Sequence, residues 1–128
     1  PECKNIKNYV KLADGSRPEL KVVNDQIGNP TSTVAVARKL REILKRPELA
    51  GTFHLTCEGV ATWYEFACEI FRQLGIAQKV IPCGTAEFPR PAPRPANSRL
   101  DKMMLRLAGL PPMPGWKEAL KEFLASEF

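Results

Sequence analysis

The sequence predicts an α/β chain of about four to five helices with a few short strands, and three features predict it. Apolar residues recur at three- and four-residue intervals in several separate windows, the spacing that lines one face of a helix. Short β-branched or alternating runs at 20–24, 52–56 and 79–83 lie between those windows, and strand signals interleaved with helix signals mark the α/β class. The composition supports a folded chain: 44% hydrophobic and 26% charged residues are ordinary values for a soluble globular protein. At 128 residues the chain is one domain in size, able to bury roughly two thirds of the surface that it exposes when unfolded.

Each element has a local cause. Ile6, Tyr9, Val10 and Leu12 share one face of a short helix that Asp14 and Gly15 close. Residues 20–24 (LKVVN) read as a strand, and residues 25–31 follow as a loop fixed by Gly28 and Pro30. Thr31, Ser32 and Thr33 offer capping hydroxyls to a helix whose Val36, Leu40, Ile43 and Leu44 form an apolar stripe ending near Pro47. After Gly51, Phe53 and Leu55 alternate with polar neighbours as in a short strand over 52–56, which contains His54. Thr62 and Glu65 stand at capping-box spacing before a helix over 63–74. Its face of Trp63, Phe66, Ala67, Ile70, Phe71 and Leu74 points to the core, Tyr64 is left open, and Gly75 ends it. Residues 79–83 form another strand. Pro89, Pro91, Pro93 and Pro95 then exclude both a helix interior and a sheet ladder, so residues 88–96 are an extended surface loop. A helix over 101–108 closes at Gly109, Pro111, Pro112 and Pro114 make a second break, and residues 116–128 are a final amphipathic helix. Neither break has a flank long enough for a separate domain, so residues 1–128 read as one region.

Composition also excludes whole classes of function. Lys and Arg outnumber Asp and Glu by 19 to 14, a net +5 with a pI near 9.2, which suits an anionic ligand such as a nucleoside diphosphate. Charge alone decides little, because Arg38, Lys39, Arg41, Lys45, Arg46, Lys117 and Lys121 alternate with Glu as on solvated helix faces. No basic motif interleaved with aromatics is present, so nucleic acid is not an expected partner. Cys3, Cys57, Cys68 and Cys83 are isolated and His54 is the sole histidine. Neither a zinc ligand set nor a thioredoxin-like motif can be assembled, and reduced thiols in a cytoplasmic protein are expected. No apolar stretch approaches the roughly 20 residues of a membrane span, and no signal pattern opens the chain, so neither membrane nor secretion is expected.

Three motifs invite a functional reading, each beside a bland one. The loop Asp25, Gln26, Ile27, Gly28, Asn29, Pro30, Thr31 gathers hydrogen-bonding side chains before a helix N-terminus, as a sugar or phosphate site does, and equally as any capped strand-to-helix turn does. Arg90, Arg94 and Arg99 sit in or beside the proline-rich loop, where planar guanidinium groups can meet a diphosphate in bidentate fashion. The same loop can instead be a ligand for another protein's aromatic groove or a plain solubilising surface. His54, with no carboxylate or cysteine pattern around it, reads as structural. The chain carries no G-x-G-x-x-G, no P-loop, no G-x-S-x-G and no complete catalytic constellation.

Four blocks in order resemble one family: LKVVNDQIGNPT at 20–31, GTFHLTCEGVATWYEFACEIF at 51–71, EFPRPAPRPANSRLD at 87–101 and LPPMPGWKEAL at 110–120. Together they look like the C-terminal part of the dTDP-4-dehydrorhamnose reductases, which are extended short-chain dehydrogenase/reductases. Residues 1–19 match only loosely. The resemblance implies the substrate-binding portion of a Rossmann-type enzyme that reduces the 4-keto group of dTDP-4-dehydro-L-rhamnose with NADPH or NADH, giving dTDP-L-rhamnose for bacterial cell-surface polysaccharide. The family's glycine-rich turn, its Tyr-x-x-x-Lys and the upstream Ser or Thr all precede the matched region. No catalytic and no cofactor-binding residue is therefore expected within the chain, which alone should reduce nothing.

What carries over is the substrate pocket. Gln26, Gly28, Asn29, Pro30 and Thr31 would border the sugar and cofactor cleft, and Arg94, Pro95, Asn97 and Ser98 would lie near the nucleotide end. The family often has Ser or Ala where Asn29 stands, which alters that edge of the pocket. Some members hold magnesium through acidic residues after Gly-x-Pro-Thr; Ser32, Thr33 and Val34 stand there in this chain, so no metal is expected. The strand at 51–55 and the helix at 33–46 would pack on the Rossmann lobe, so in its absence exposed apolar surface favours a homodimer or other self-association. Two alternatives stay open: a noncatalytic regulatory or interaction module with a reductase-like fold, and a reductase for a different nucleotide 4-keto sugar.

Overall fold

The computed structural model describes residues 6–12, 18–89 and 91–127. Among these, five α-helices and four short strands follow one another in the mixed order expected of the α/β class. They divide into two compact units, each made of two stretches of chain: residues up to Ile27 with Ala61–Asn97, and Gly28–Val60 with the residues from Ser98 on.

In the first unit, α1 (Ile6–Leu12), β1 (Glu19–Val23), α3 (Trp63–Leu74) and β4 (Lys79–Cys83) pack together. β1 and β4 pair in parallel, with Leu20 opposite Val80 and Val22 opposite Pro82. Leu20 and Val22 turn inward in strict alternation. α3 covers the pair because Thr62 starts it with a complete capping box: Thr62 Oγ1 accepts from Glu65 N–H, and Glu65 returns a carboxylate oxygen to Thr62 N–H. Gly75 ends it in the left-handed region, at φ 67°. Ala67, Ile70 and Phe71 are buried, Trp63, Phe66 and Leu74 half-buried, and the Phe71 ring meets Tyr9 edge-on at 6.4 Å. Burying Ile70 or Phe71 contributes about 1.5–3 kcal/mol each. Trp63, expected in the core, lies instead at its margin against Phe66. The Tyr64 hydroxyl pairs with Cys68 one turn on, which raises the phenol's pKa. The glycine stop of α1 at Asp14 and Gly15 falls outside the described residues. β2 (Ile27–Gly28) and β3 (Ala61–Thr62) are strands of two residues each.

In the second unit, α2 (Thr33–Leu44), α4 (Met103–Leu107) and α5 (Trp116–Glu127) surround Ala35, Cys57, Leu105, Met113, Trp116, Ala119, Leu120 and Leu124. An isolated parallel bridge joins Glu58 to Gly115, with Glu58 N–H donating to Pro114 O and Trp116 N–H to Glu58 O. Three expectations are corrected here. Residues 52–56 form no strand: the backbone has no ladder partner among the described residues, although Phe53 and Leu55 still turn further inward than Thr52 and His54. α2 buries Ala35 and Lys39 rather than its apolar stripe, leaving Leu40 47% and Leu44 73% exposed. The Lys39 stem lies inside while its ammonium reaches Pro111 O at 2.9 Å and the Glu42 carboxylate, the usual way a long cationic side chain is buried by its stem. Nor do the hydroxyls of 31–33 cap α2. Ser32 takes the cap position without a side-chain bond, because Thr31 Oγ1 is spent elsewhere.

Candidate functional site

The loop after β1 is held through Thr85, at the start of a single 3-10 turn over Thr85–Glu87. Gln26 is buried, and its Nε2 donates to Thr85 Oγ1 at 2.9 Å. The same hydroxyl donates to Asp25 Oδ1 at 2.6 Å, and Thr85 N–H donates to Asp25 Oδ2 at 2.8 Å. One residue on, Ile27 N–H donates to Ala96 O at 2.8 Å and Ile27 bridges Asn97. The structure therefore brings Gln26 and Asn97, predicted from distant segments, to one loop. Arg94 and Pro95 are exposed, and Arg94 makes no hydrogen bond or ion pair among the described residues. Arg90 lies outside them.

The two donors from Thr85 hold the Asp25 carboxyl below its ordinary pKa by favouring the charged form. A depressed carboxylate pKa gives stability that is fully present above the unfolded-state value and is lost as pH falls through the folded one. Asp25→Asn does not titrate, so its urea stability should fall less steeply than the wild type's below the ordinary carboxylate range. Parallel acid slopes for the two proteins would contradict this.

In the second unit the predicted residues Gly28, Asn29, Pro30, Thr31 and Ser98 also come together. A Cβ on Gly28 would lie 2.8 Å from Ser98 Oγ, so the bare backbone leaves room for that hydroxyl. Asn29 Nδ2 donates to Gly59 O at 2.7 Å, and Asn29 Oδ1 accepts from Leu100 N–H at 3.1 Å. Thr31 Oγ1 donates to Asn29 O at 2.8 Å and accepts from Cys57 N–H at 3.1 Å. Pro30 is half-buried between them in sequence, and Ser98 is exposed. Asn29 and Thr31 thus spend their polar side-chain atoms on backbone groups and shape the loop. Ser98 and Arg99 are both exposed.

Three participants escaped sequence reasoning. Thr85 was visible only as the residue after Gly84, and Gly59 as one glycine in a run without periodicity. Lys102 is buried, its ammonium 3.1 Å from Glu58 Oε2, and nothing in its spacing separates it from surface lysines. His54 is an exposed tether whose Nδ1 donates to Asp101 O at 2.8 Å.

A dinucleotide does not fit these residues. Neither β1 nor β4 leads through a glycine-rich turn into a helix N-terminus; β4 leads to Gly84 and a single 3-10 turn. Among the described residues no three His, Cys, Asp or Glu side chains gather as a metal site, and no helix is long and apolar enough to cross a membrane. Cys57, Cys68 and Cys83 are free thiols.

The family model for the RmlD substrate binding domain matches residues 3–128. A dTDP-4-dehydrorhamnose reductase of Escherichia coli is 35% identical over 132 aligned positions, covering 95% of this chain and 44% of that protein. A probable dTDP-4,6-dihydroxy-2-methyloxan-3-one 4-ketoreductase of Streptomyces antibioticus is 43% identical over 102 residues, covering 79% of this chain and 35% of that protein. The crystal structure of a Bacillus anthracis dTDP-4-dehydrorhamnose reductase in complex with NADP superposes with a TM-score of 0.88 at 35% identity, covering 96% of this chain and 42% of that one. The chain spans less than half the length of each.

Proposed function

The chain belongs to the RmlD substrate-binding domain family, and we propose that it is the substrate-binding part of an NAD(P)H-dependent dTDP-4-dehydrorhamnose reductase. The whole enzyme would reduce the 4-keto group of dTDP-4-dehydro-L-rhamnose to dTDP-L-rhamnose for cell-surface polysaccharide, in the cytoplasm, without nucleic acid, membrane or metal. NADPH or NADH would supply the hydride from residues outside these 128, and this chain would bind and orient the sugar nucleotide. Residues 1–128 would act as one binding region.

The observation that supports this most directly is that the segment from Gln26 to Gly28 runs beside the segment from Ala96 to Ser98, through Ile27 N–H to Ala96 O and Gly28 under Ser98 Oγ. Both motifs of the resemblance are thereby adjacent. Gln26, Gly28, Asn29, Pro30 and Thr31 would frame the sugar, while Arg94, Pro95, Asn97 and Ser98 would meet the nucleotide. The Arg94 guanidinium, which has no partner among the described residues, is the group suited to a diphosphate oxygen. A homodimer or other self-association is proposed as well, supported by exposed Leu40, Leu44, Met103 and Leu107; sedimentation of a monomer at all concentrations would refute that part.

Titration with dTDP and dTDP-L-rhamnose, with UDP as control and amide shifts as readout, tests the main reading. Saturable, dTDP-selective binding that perturbs residues 26–31 and 94–98 is expected. No response of the full-length protein up to millimolar dTDP would overturn it. A second substrate, another dTDP-linked 4-keto sugar, is favoured by the name and 43% identity of the Streptomyces relative, and comparison of kcat/KM for the two keto sugars decides between them.

A further inference from the structure

Residues 91–100 are exposed without exception, so packing does little to fix the segment that carries Asn97, Ser98 and Arg99. Hydrogen bonds must do it instead. One tether is Ile27 N–H to Ala96 O. A second is Asn29, whose side-chain oxygen receives Leu100 N–H from 71 residues away while its nitrogen donates to Gly59 O, 30 residues away. With both heteroatoms engaged, the side chain is locked in one rotamer. Its own backbone carbonyl is held by Thr31 Oγ1, which is fixed in turn by Cys57 N–H. Immediately before it, Gly28 leaves the space that Ser98 Oγ fills.

We propose that Asn29 is a positioning residue that does not touch the nucleotide but holds Ser98 and Arg99 where they can. The inference rests on the reading that this segment meets the dTDP moiety. Without the Leu100 tether the segment samples conformations that cannot bind, and apparent affinity falls in proportion to the competent fraction. dTDP carries no keto sugar for Asn29 to frame, so its affinity reports the positioning of Ser98 and Arg99 by itself.

The test uses the full-length protein, with calorimetric dTDP binding and steady-state kinetics on a dTDP-linked 4-keto sugar. Asn29→Ala is expected to weaken dTDP binding roughly tenfold, the scale of one lost hydrogen-bonded tether, and to raise KM with it. Leu124→Ala, a buried α5 residue remote in sequence from the loop, controls for stability: it should lower the melting temperature and leave dTDP affinity unchanged. If Asn29→Ala does not fold, Leu100→Pro removes the donor while sparing Asn29 and should weaken dTDP binding to the same degree. Unchanged dTDP affinity in a folded Asn29→Ala or Leu100→Pro protein would overturn the proposal and leave the nucleotide reading intact. A wild-type protein that does not bind dTDP would overturn both.

Discussion

Gly59→Val should destabilise the chain by about 4 kcal/mol, seen as a lower urea midpoint at an unchanged slope. Two independent effects combine. Gly59 sits at φ 82°, where a β-branched residue costs roughly 1–2 kcal/mol. An added Cβ would also stand 3.0 Å from Trp116 Cδ1 and 3.3 Å from its Nε1, and overpacking of that kind costs roughly 1–3 kcal/mol. The indole cannot give way cheaply, since Trp116 is 7% exposed and its N–H backbone group is tied to Glu58 O. Gly75 and Gly109 separate the two effects: both have positive φ, yet a Cβ on either meets nothing within 4 Å. Alanine at those positions should cost only about 1 kcal/mol. Equal losses at Gly59 and Gly75 would show that the Trp116 contact contributes nothing. Because Gly59 O also receives Asn29 Nδ2, the valine variant should weaken dTDP binding too.

Thr85→Val is expected to cost about 2 kcal/mol, from leaving the buried Gln26 amide without its acceptor. Valine keeps the shape and removes the one oxygen that serves both Gln26 and Asp25. The backbone N–H of residue 85 still reaches Asp25, so the carboxyl loses its Oγ1 donor and keeps the other. Its pKa should therefore rise part of the way back to the ordinary range. Thermal unfolding at neutral pH reads the first effect, and side-chain carboxyl shifts of Asp25 across an acid titration read the second. A variant as stable as the wild type would mean that Gln26 finds another partner.

Much of this architecture was legible in the sequence because it is local. Thr62, Glu65 and Gly75 bound α3 by rules that operate within four residues, and the alternate prolines exclude regular structure one residue at a time. Failures came where the answer lay far along the chain. The apolar stripe of α2 was plain, but which edge is covered depends on Pro111 receiving the Lys39 ammonium. Residues 52–56 have the alternation of a strand, and alternation supplies no partner. For the candidate site, the segments were legible from resemblance, while the parts played by Asn29 and Thr85 rest on bonds spanning 71 and 59 residues. No window of sequence contains both ends.

The division of the chain also sets an order of assembly. It passes from one unit to the other at residues 27–28, 60–61 and 97–98, so neither unit is a continuous stretch. During synthesis from the N-terminus, Asn97, the last residue of the first unit, is made before any residue from Ser98 on. Residues 28–60, by contrast, must wait for α4 and α5 before Ala35 and Cys57 can be covered. For that interval α2 is a helix whose unit still lacks α4 and α5, the stage at which apolar surface is most open to chaperones and to misassembly.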